Sequence, residues 1–192
     1  MKSHLLIAVG LLSFNAHAYE SPFYLGAGIG ETDFDDGGAS ESALIPISSD
    51  TDGQTYKLFG GFRLNQHIGF EGQYTRYADT VYRSPVQKGK GTVELASYSL
   101  AANVGYQFDM GLRPFVTVGL GMMDFTSKGP AGSYEDQEVL VRLGGGVEYT
   151  HPALRRVTFR LAYEKDDFDV SSHGQSTSLG VASVYLGTSV NF

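Results

Sequence analysis

The chain has 192 residues with a formal net charge of −7, and includes 25 Gly, 12 Tyr, 12 Phe and only 6 Pro. It has no Cys, which excludes a disulfide framework, a thiolate metal site and a cysteine nucleophile. A Gly-rich, aromatic composition without long alanine–leucine runs points to one all-β domain rather than a helical one.

The N-terminus reads as an export signal. Met1, Lys2 and His4 form a short basic start, and Leu5–Phe14 is an apolar run well short of the roughly 20 residues that a membrane-spanning helix needs. Ala16 and Ala18 place small residues three and one before a cleavage point. Residues 1–18 are therefore expected to be a cleaved signal peptide and residues 19–192 the mature domain.

Eight segments then alternate apolar and polar residues with period two. The first, Pro22–Thr32, carries Phe23, Leu25, Ala27 and Ile29 on its apolar side. The second and third lie in KLFGGFRLNQHIGFEGQY, residues 57–74, on either side of a tight turn. The fourth is Glu94–Phe108, the fifth Leu112–Phe125, the sixth Glu138–Thr150, the seventh Leu154–Phe168 and the eighth Ser178–Phe192. Short connections (NQ, DMG, HPA) alternate with long ones at Asp33–Gly53, Asp79–Lys90, Ser127–Gln137 and Asp169–Thr177. An even strand count with short turns on one side and long loops on the other predicts an up-and-down antiparallel barrel. The six prolines all fall in connections or at strand starts, as strand hydrogen bonding requires.

Which face points inward decides between a soluble ligand-binding barrel and a membrane barrel. The polar faces mix long charged residues with Gly26, Gly28, Gly30, Gly119, Gly121, Gly144 and Gly146, a combination suited to a narrow lumen. The apolar faces place Phe23, Tyr106, Phe108, Tyr149 and Phe192 near the short turns and Tyr56, Tyr74, Tyr98 and Tyr163 near the long loops. Two aromatic belts flanking an aliphatic band mark a transmembrane barrel with its apolar face toward lipid. The predicted fold is thus all-β, an eight-stranded up-and-down antiparallel transmembrane β-barrel. Its lumen is expected to hold an ionic network of Lys57, Arg63, Glu71, Arg142, Glu148, Arg156, Arg160 and Glu164, with Glu71 paired to one or more of the arginines as a plug.

PFYLGAGIGETDF, KLFGGFRLNQHIGFEGQYT, PFVTVGLGMMDF and the terminal YLGTSVNF resemble the eight-stranded outer-membrane barrel family, which includes the transmembrane domain of outer membrane protein A. The resemblance implies a Gram-negative outer membrane, short turns in the periplasm and long loops outside the cell. It also implies insertion by the barrel-assembly machinery, with Val190 and Phe192 in the C-terminal signal. No peptidoglycan-binding domain follows the last strand, so cell-wall tethering is not expected. The belts lack Trp and use Tyr and Phe alone.

Other chemistry finds little support. GAGIGE lacks the G-x-G-x-x-G spacing and no helix follows it. His67 and His151 fall at periplasmic turns. His173, in DVSSHGQSTS beside Asp169 and several serines, is the one place where an esterase-type site could be sought. DTDG, residues 50–53, is only a fragment of a calcium loop. The expected role is a non-enzymatic surface barrel for envelope integrity or adhesion, acting through its loops. The alternatives are a small ion-conducting barrel and an outer-membrane lipid-modifying enzyme. Expected partners are outer-membrane lipid, lipopolysaccharide bridged by cations to the acidic loops, the barrel-assembly machinery and a host or phage surface. No cofactor, metal or nucleic acid is expected, and the chain is expected to be a monomer.

Overall fold

A computed structural model describes residues 22–35, 48–83, 90–129, 132–172 and 175–192. The predicted signal peptide, His173 and the tips of the longer connections lie outside the described residues.

The strands are β1 (Phe23–Asp35), β2 (Ser48–Asp52), β3 (Thr55–Arg63), β4 (Ile68–Arg76), β5 (Asp79–Arg83), β6 (Lys90–Gly105), β7 (Leu112–Gly129), β8 (Gly132–Thr150), β9 (Val157–Ser172) and β10 (Gln175–Asn191). Eight of them, all but β2 and β5, form a closed antiparallel ring in which each pairs with one member on either side, and β1 closes on β10. The result is a closed eight-stranded barrel. Closure leaves the sheet no free edge in the hydrocarbon, where an unpaired backbone group would cost several kcal/mol.

Alternation puts the apolar residues outside. Leu100 is 75% exposed, Leu120 64% and Leu186 63%, whereas Arg142 is 0% and Glu71 1% exposed. Such a surface is tolerable only in lipid. The belts are in place: Tyr74 packs on Tyr98 with ring centroids 4.9 Å apart at one end, and Phe23 on Phe62 (5.1 Å) and Tyr106 on Phe108 (5.0 Å) at the other.

The strands are not of equal height. β3 and β4 have 9 residues each, about the length needed to cross a membrane. β7 has 18 and β8 has 19, so each continues for roughly 30 Å at about 3.3 Å per residue beyond the crossing part. Two of the predicted loops are therefore strand. Ser127–Gln137 is the top of a β7–β8 hairpin in which Gly129 pairs with Gly132, and Asp169–Thr177 is largely the top of β9–β10, with Ser172 opposite Gln175. Their charged composition suggests loop, but a strand leaving the membrane needs a polar outer face, and these residues supply it. β2 and β5 pair with each other, and β5 with the top of β6, so they carry β3 and β4 upward after short breaks. Gly53 in one of the breaks has φ +101, a conformation that favours glycine.

Above the upper tyrosine belt the two faces exchange character. The outward residues become Arg76, Glu94, Asp124, Lys128, Gln137, Lys165 and Asp167. Three pairs cross between strands: Arg76 with Glu94 (3.3 Å), Lys128 with Glu94 and Gln137 with Asp124 (2.8 Å); two run along the chain, Arg76 with Asp79 (2.9 Å) and Lys165 with Asp167 (2.9 Å). Hydrogen bonding from Lys128 holds the Glu94 carboxyl below its ordinary range. The inward residues become apolar: Val93, Leu95, Met123, Leu140, Phe168 and Val181 form one buried cluster with Tyr77. Below the belt the barrel is built for lipid; above it, for water.

This boundary is testable on two outward positions of neighbouring strands. Leu120→Arg should cost about 2–4 kcal/mol, as a charge near the bilayer midplane does. Gln137→Arg, above the belt, should stay within about 0.5 kcal/mol of the parent. Urea titration of the barrel refolded into lipid measures both. A Gln137→Arg cost equal to that of Leu120→Arg would place the boundary wrongly.

Candidate functional site: the barrel lumen

The inward faces bring the predicted ionic residues into one connected network. At its centre Arg160, from β9, donates to both oxygens of Glu71, from β4: Nη1 to Oε1 at 2.9 Å and Nη2 to Oε2 at 2.7 Å. The fork geometry makes this the stronger kind of charge-assisted contact. Arg160 also reaches Glu148 at 2.6 Å through Nη2, and its guanidinium lies 4.2 Å from the ring centroid of Phe59. Tyr24 donates its hydroxyl to Glu71 Oε2 at 2.6 Å.

Toward the short-turn end, Glu148 accepts from Arg63 Nη2 and Arg113 Nη1, each at 3.0 Å. Toward the long-loop end, Glu164 accepts from Lys57 and from the Tyr185 hydroxyl (2.8 Å). Highest in the polar layer, Arg142 donates Nε to Asp166 Oδ1 at 2.6 Å, Nη1 to Ser99 Oγ at 2.8 Å and Nη2 to Ser97 Oγ at 2.8 Å. Gln73 joins the layers by donating to Glu71 at 2.5 Å and accepting from Arg142.

Glycines make room for these side chains. A Cβ on Gly26 would lie 2.5 Å from the Phe59 ring, and one on Gly144 2.6 Å from Glu164 Cγ. Small residues on one strand thus accept long ones from its neighbour, and the narrow interior is filled.

Not every expected member is there. Arg156 is exposed: it sits in the His151–Arg156 turn before β9, where the Val157 amide donates to the Leu154 carbonyl at 2.7 Å. Extending the alternation back to Leu154 placed Arg156 one turn too deep; at the exposed rim its charge needs no counter-ion inside the barrel. Arg63 lies at the mouth, with its side chain 26% exposed. Conversely, Arg113, Asp166 and Tyr185 were missed. Asp166 lies in the predicted seventh strand and follows Glu164 by two residues, so it shares its face, yet it was left out of the expected network. Arg113 precedes Thr117 on the polar face of β7 by an even interval, but the neighbouring proline marked it as a strand start.

The network ends against the apolar cluster. Leu140 stands opposite Phe168, one pleat above the opposed pair Arg142 and Asp166. Met123, Leu140 and Val181 are each 0% exposed. From the short-turn end to the long-loop end the interior is therefore ionic, then apolar. The unpartnered buried atoms Asn103 Nδ2, Arg113 Nε, Thr117 Oγ1 and Ser183 Oγ all lie below the apolar layer. His67 remains at its turn, with Nδ1 3.3 Å from the Gly105 carbonyl oxygen. Among the described residues no group of three His, Asp or Glu could hold a metal ion. Val190 and Phe192 face outward near the short-turn end, and the Phe192 amide donates to the Phe23 carbonyl at 3.1 Å.

A closed eight-stranded barrel with a lipid-facing apolar band and a charged interior defines the class of outer-membrane barrels. The chain belongs to the outer membrane protein β-barrel domain family, whose model matches residues 4–192, and it resides in the Gram-negative outer membrane. It is 29% identical over 194 residues to outer membrane protein A of Klebsiella aerogenes, covering 94% of this chain and 51% of that one. It is 26% identical over 203 residues to the Escherichia coli O157:H7 protein of the same name, covering 100% and 55%. The chain thus spans about half the length of these relatives. Among solved structures the fold matches Neisserial surface protein A (NspA), with TM-score 0.60 and 14% identity over 90% of this chain and 98% of that one. It also matches Ail, the attachment invasion locus protein of Yersinia pestis, with TM-score 0.56 and 14% identity over 91% and 100%.

The Glu71–Arg160 contact gives a quantitative test. Removing either partner leaves a buried charge, so Glu71→Ala and Arg160→Ala should each cost roughly 3–5 kcal/mol of refolding stability. The double variant should cost clearly less than the sum, because no unpaired charge remains. Strictly additive losses would show that the two residues do not act as a pair.

Proposed function

We propose that this chain is a non-enzymatic surface barrel, acting in envelope integrity or adhesion through the part that stands outside the membrane. The observation that carries this reading is the filled lumen. Its carboxylates are each held by an arginine or lysine, and an apolar layer lies above them, so the interior offers neither a solute path nor an accessible nucleophile. What is left to meet a partner is the extracellular extension, where the strand tops are long and the outward side chains charged. The relatives called outer membrane protein A and the fold shared with a protein named for attachment are consistent with this reading. Lipopolysaccharide is the neighbour at the height of the charged ring above the tyrosine belt, with divalent cations bridging the acids to its phosphates. Val190 and Phe192 serve as the signal read by the barrel-assembly machinery.

The experiment compares cells carrying the parent barrel with cells in which residues 36–47 and 84–89 are replaced by short Gly-Ser connections. Surface labelling first establishes that both barrels are inserted. The expected result is unchanged lipid A composition in both strains, with loss of surface attachment or serum survival in the shortened one. Lipid A altered by the purified parent barrel would establish an enzyme instead.

A further inference from the structure

We infer that the lipid face carries a seat for one phospholipid acyl chain, a furrow whose floor is Gly60, Gly72 and Ala102. Gly60 and Gly72 are directly opposed on β3 and β4, on the outward face between the opposed pairs Phe62–Phe70 and Leu58–Tyr74. The next row of side chains on either side is two residues away, roughly 7 Å along the strands. Across the neighbouring ladders Gly72 stands opposite Leu100, and Ala102 opposite Phe70 and Val118. The furrow runs from the glycines past the protruding Leu100 to Ala102 and Val118, with a volume of about 1070 Å³, the scale of a small-molecule site. Every residue that lines it is among the described ones.

The inward glycines are required by the lumen, where a Cβ would strike a neighbouring side chain. The barrel's own packing does not require Gly72 in the same way. A Cβ there would lie 3.6 Å from Leu100 Cδ2 and 3.9 Å from the Gly60 carbonyl oxygen, ordinary contact distances; one on Gly60 would lie 3.2 Å from Leu25 Cδ1. Neither residue has a positive φ. Glycine inside a strand weakens it, and where the fold itself needs none it marks the close approach of something else. The surroundings define the occupant. Both glycines belong to strands paired on both edges at these positions, so an occupant finds packing and no free hydrogen-bonding group. That suits hydrocarbon, and neither a headgroup nor a peptide. The furrow interrupts a face that already meets lipid, and left empty it would forfeit dispersion contacts. A flexible chain follows the bend past Leu100, whereas the convex wall of a second barrel does not. Phe23, Phe62 and Phe70, near the short turns, line the furrow, and neither Tyr74 nor Tyr98 does, so the chain comes from the leaflet on the short-turn side. This inference goes beyond the surface-barrel reading and does not depend on it.

The test places the full barrel, one copy per nanodisc, in phosphatidylcholine of which a fraction carries a photoreactive diazirine on the acyl chain, and maps the cross-links by mass spectrometry. Labelling should be several-fold denser at Gly60, Gly72, Ala102, Phe70 and Leu100 than at Leu161 and Leu186, which face lipid on β9 and β10. The Gly72→Leu/Ala102→Leu variant fills the furrow and should lose that excess, while Leu161 and Leu186 label as before. Gly72→Ala, whose methyl meets nothing closer than 3.6 Å, should lower the excess in part and carries the test if the double variant does not insert. Even labelling around the barrel, or an excess that survives in the variants, would overturn the inference. So would disulfide-linked dimers of a Gly72→Cys variant in protein-dense vesicles, because the furrow would then belong to a second copy of the chain.

Discussion

A buried charge in a narrow β-barrel has nowhere to go. In lipid the sheet must close on itself, and closing with eight strands leaves an interior only wide enough for side chains. Every ionised group that points inward must then find its counter-charge within the barrel. Arg142, Arg160, Glu71 and Glu148 do so with several hydrogen bonds each. The inward glycines follow from the same constraint, since long charged side chains need neighbours with none.

The same physics, applied to a different solvent, accounts for the upper half. Once the strands rise past Tyr56, Tyr98 and Tyr163, the medium outside changes from lipid to water, and the preference of each face reverses. Polar residues turn outward and pair across strands, while Leu95, Met123, Leu140 and Phe168 turn inward as the core of a soluble barrel would. One continuous sheet thus carries two interiors, and the apolar one sits as a stopper on the ionic one. A dry apolar constriction opposes ions by excluding water, a barrier independent of any salt bridge beneath it.

Much of this was legible in the sequence. Period-two alternation set the strands, and the contrast between Leu58, Phe70 and Leu120 on one face and Lys57, Glu71 and Arg160 on the other set the lipid side. Glu71 was expected to pair with one or more of the lumen arginines, and it meets Arg160. The reversal was written in the chain but is easy to misread. It shows as a break in alternation, where consecutive apolar residues serve both faces: Met122 and Met123 in β7, and Val139, Leu140 and Val141 in β8. Beyond that break the charged stretches resemble loops, which is why the β7–β8 and β9–β10 tops were read as connections. Arg156 failed for the opposite reason: alternation continued on paper past the point where the backbone turns.

Planar-bilayer conductance tests directly whether the ionic network and the apolar layer act as two seals in series. The network alone is opened by Glu71→Gln/Arg160→Gln, the apolar layer alone by Leu140→Ser/Phe168→Ser, and both by the fourfold variant. Each pair alone should leave the barrel electrically silent, like the parent, and only the fourfold variant should show sustained single-channel steps. Sustained conductance from Glu71→Gln/Arg160→Gln alone would contradict the account, because it would show that ions pass the apolar layer once the salt bridge is gone.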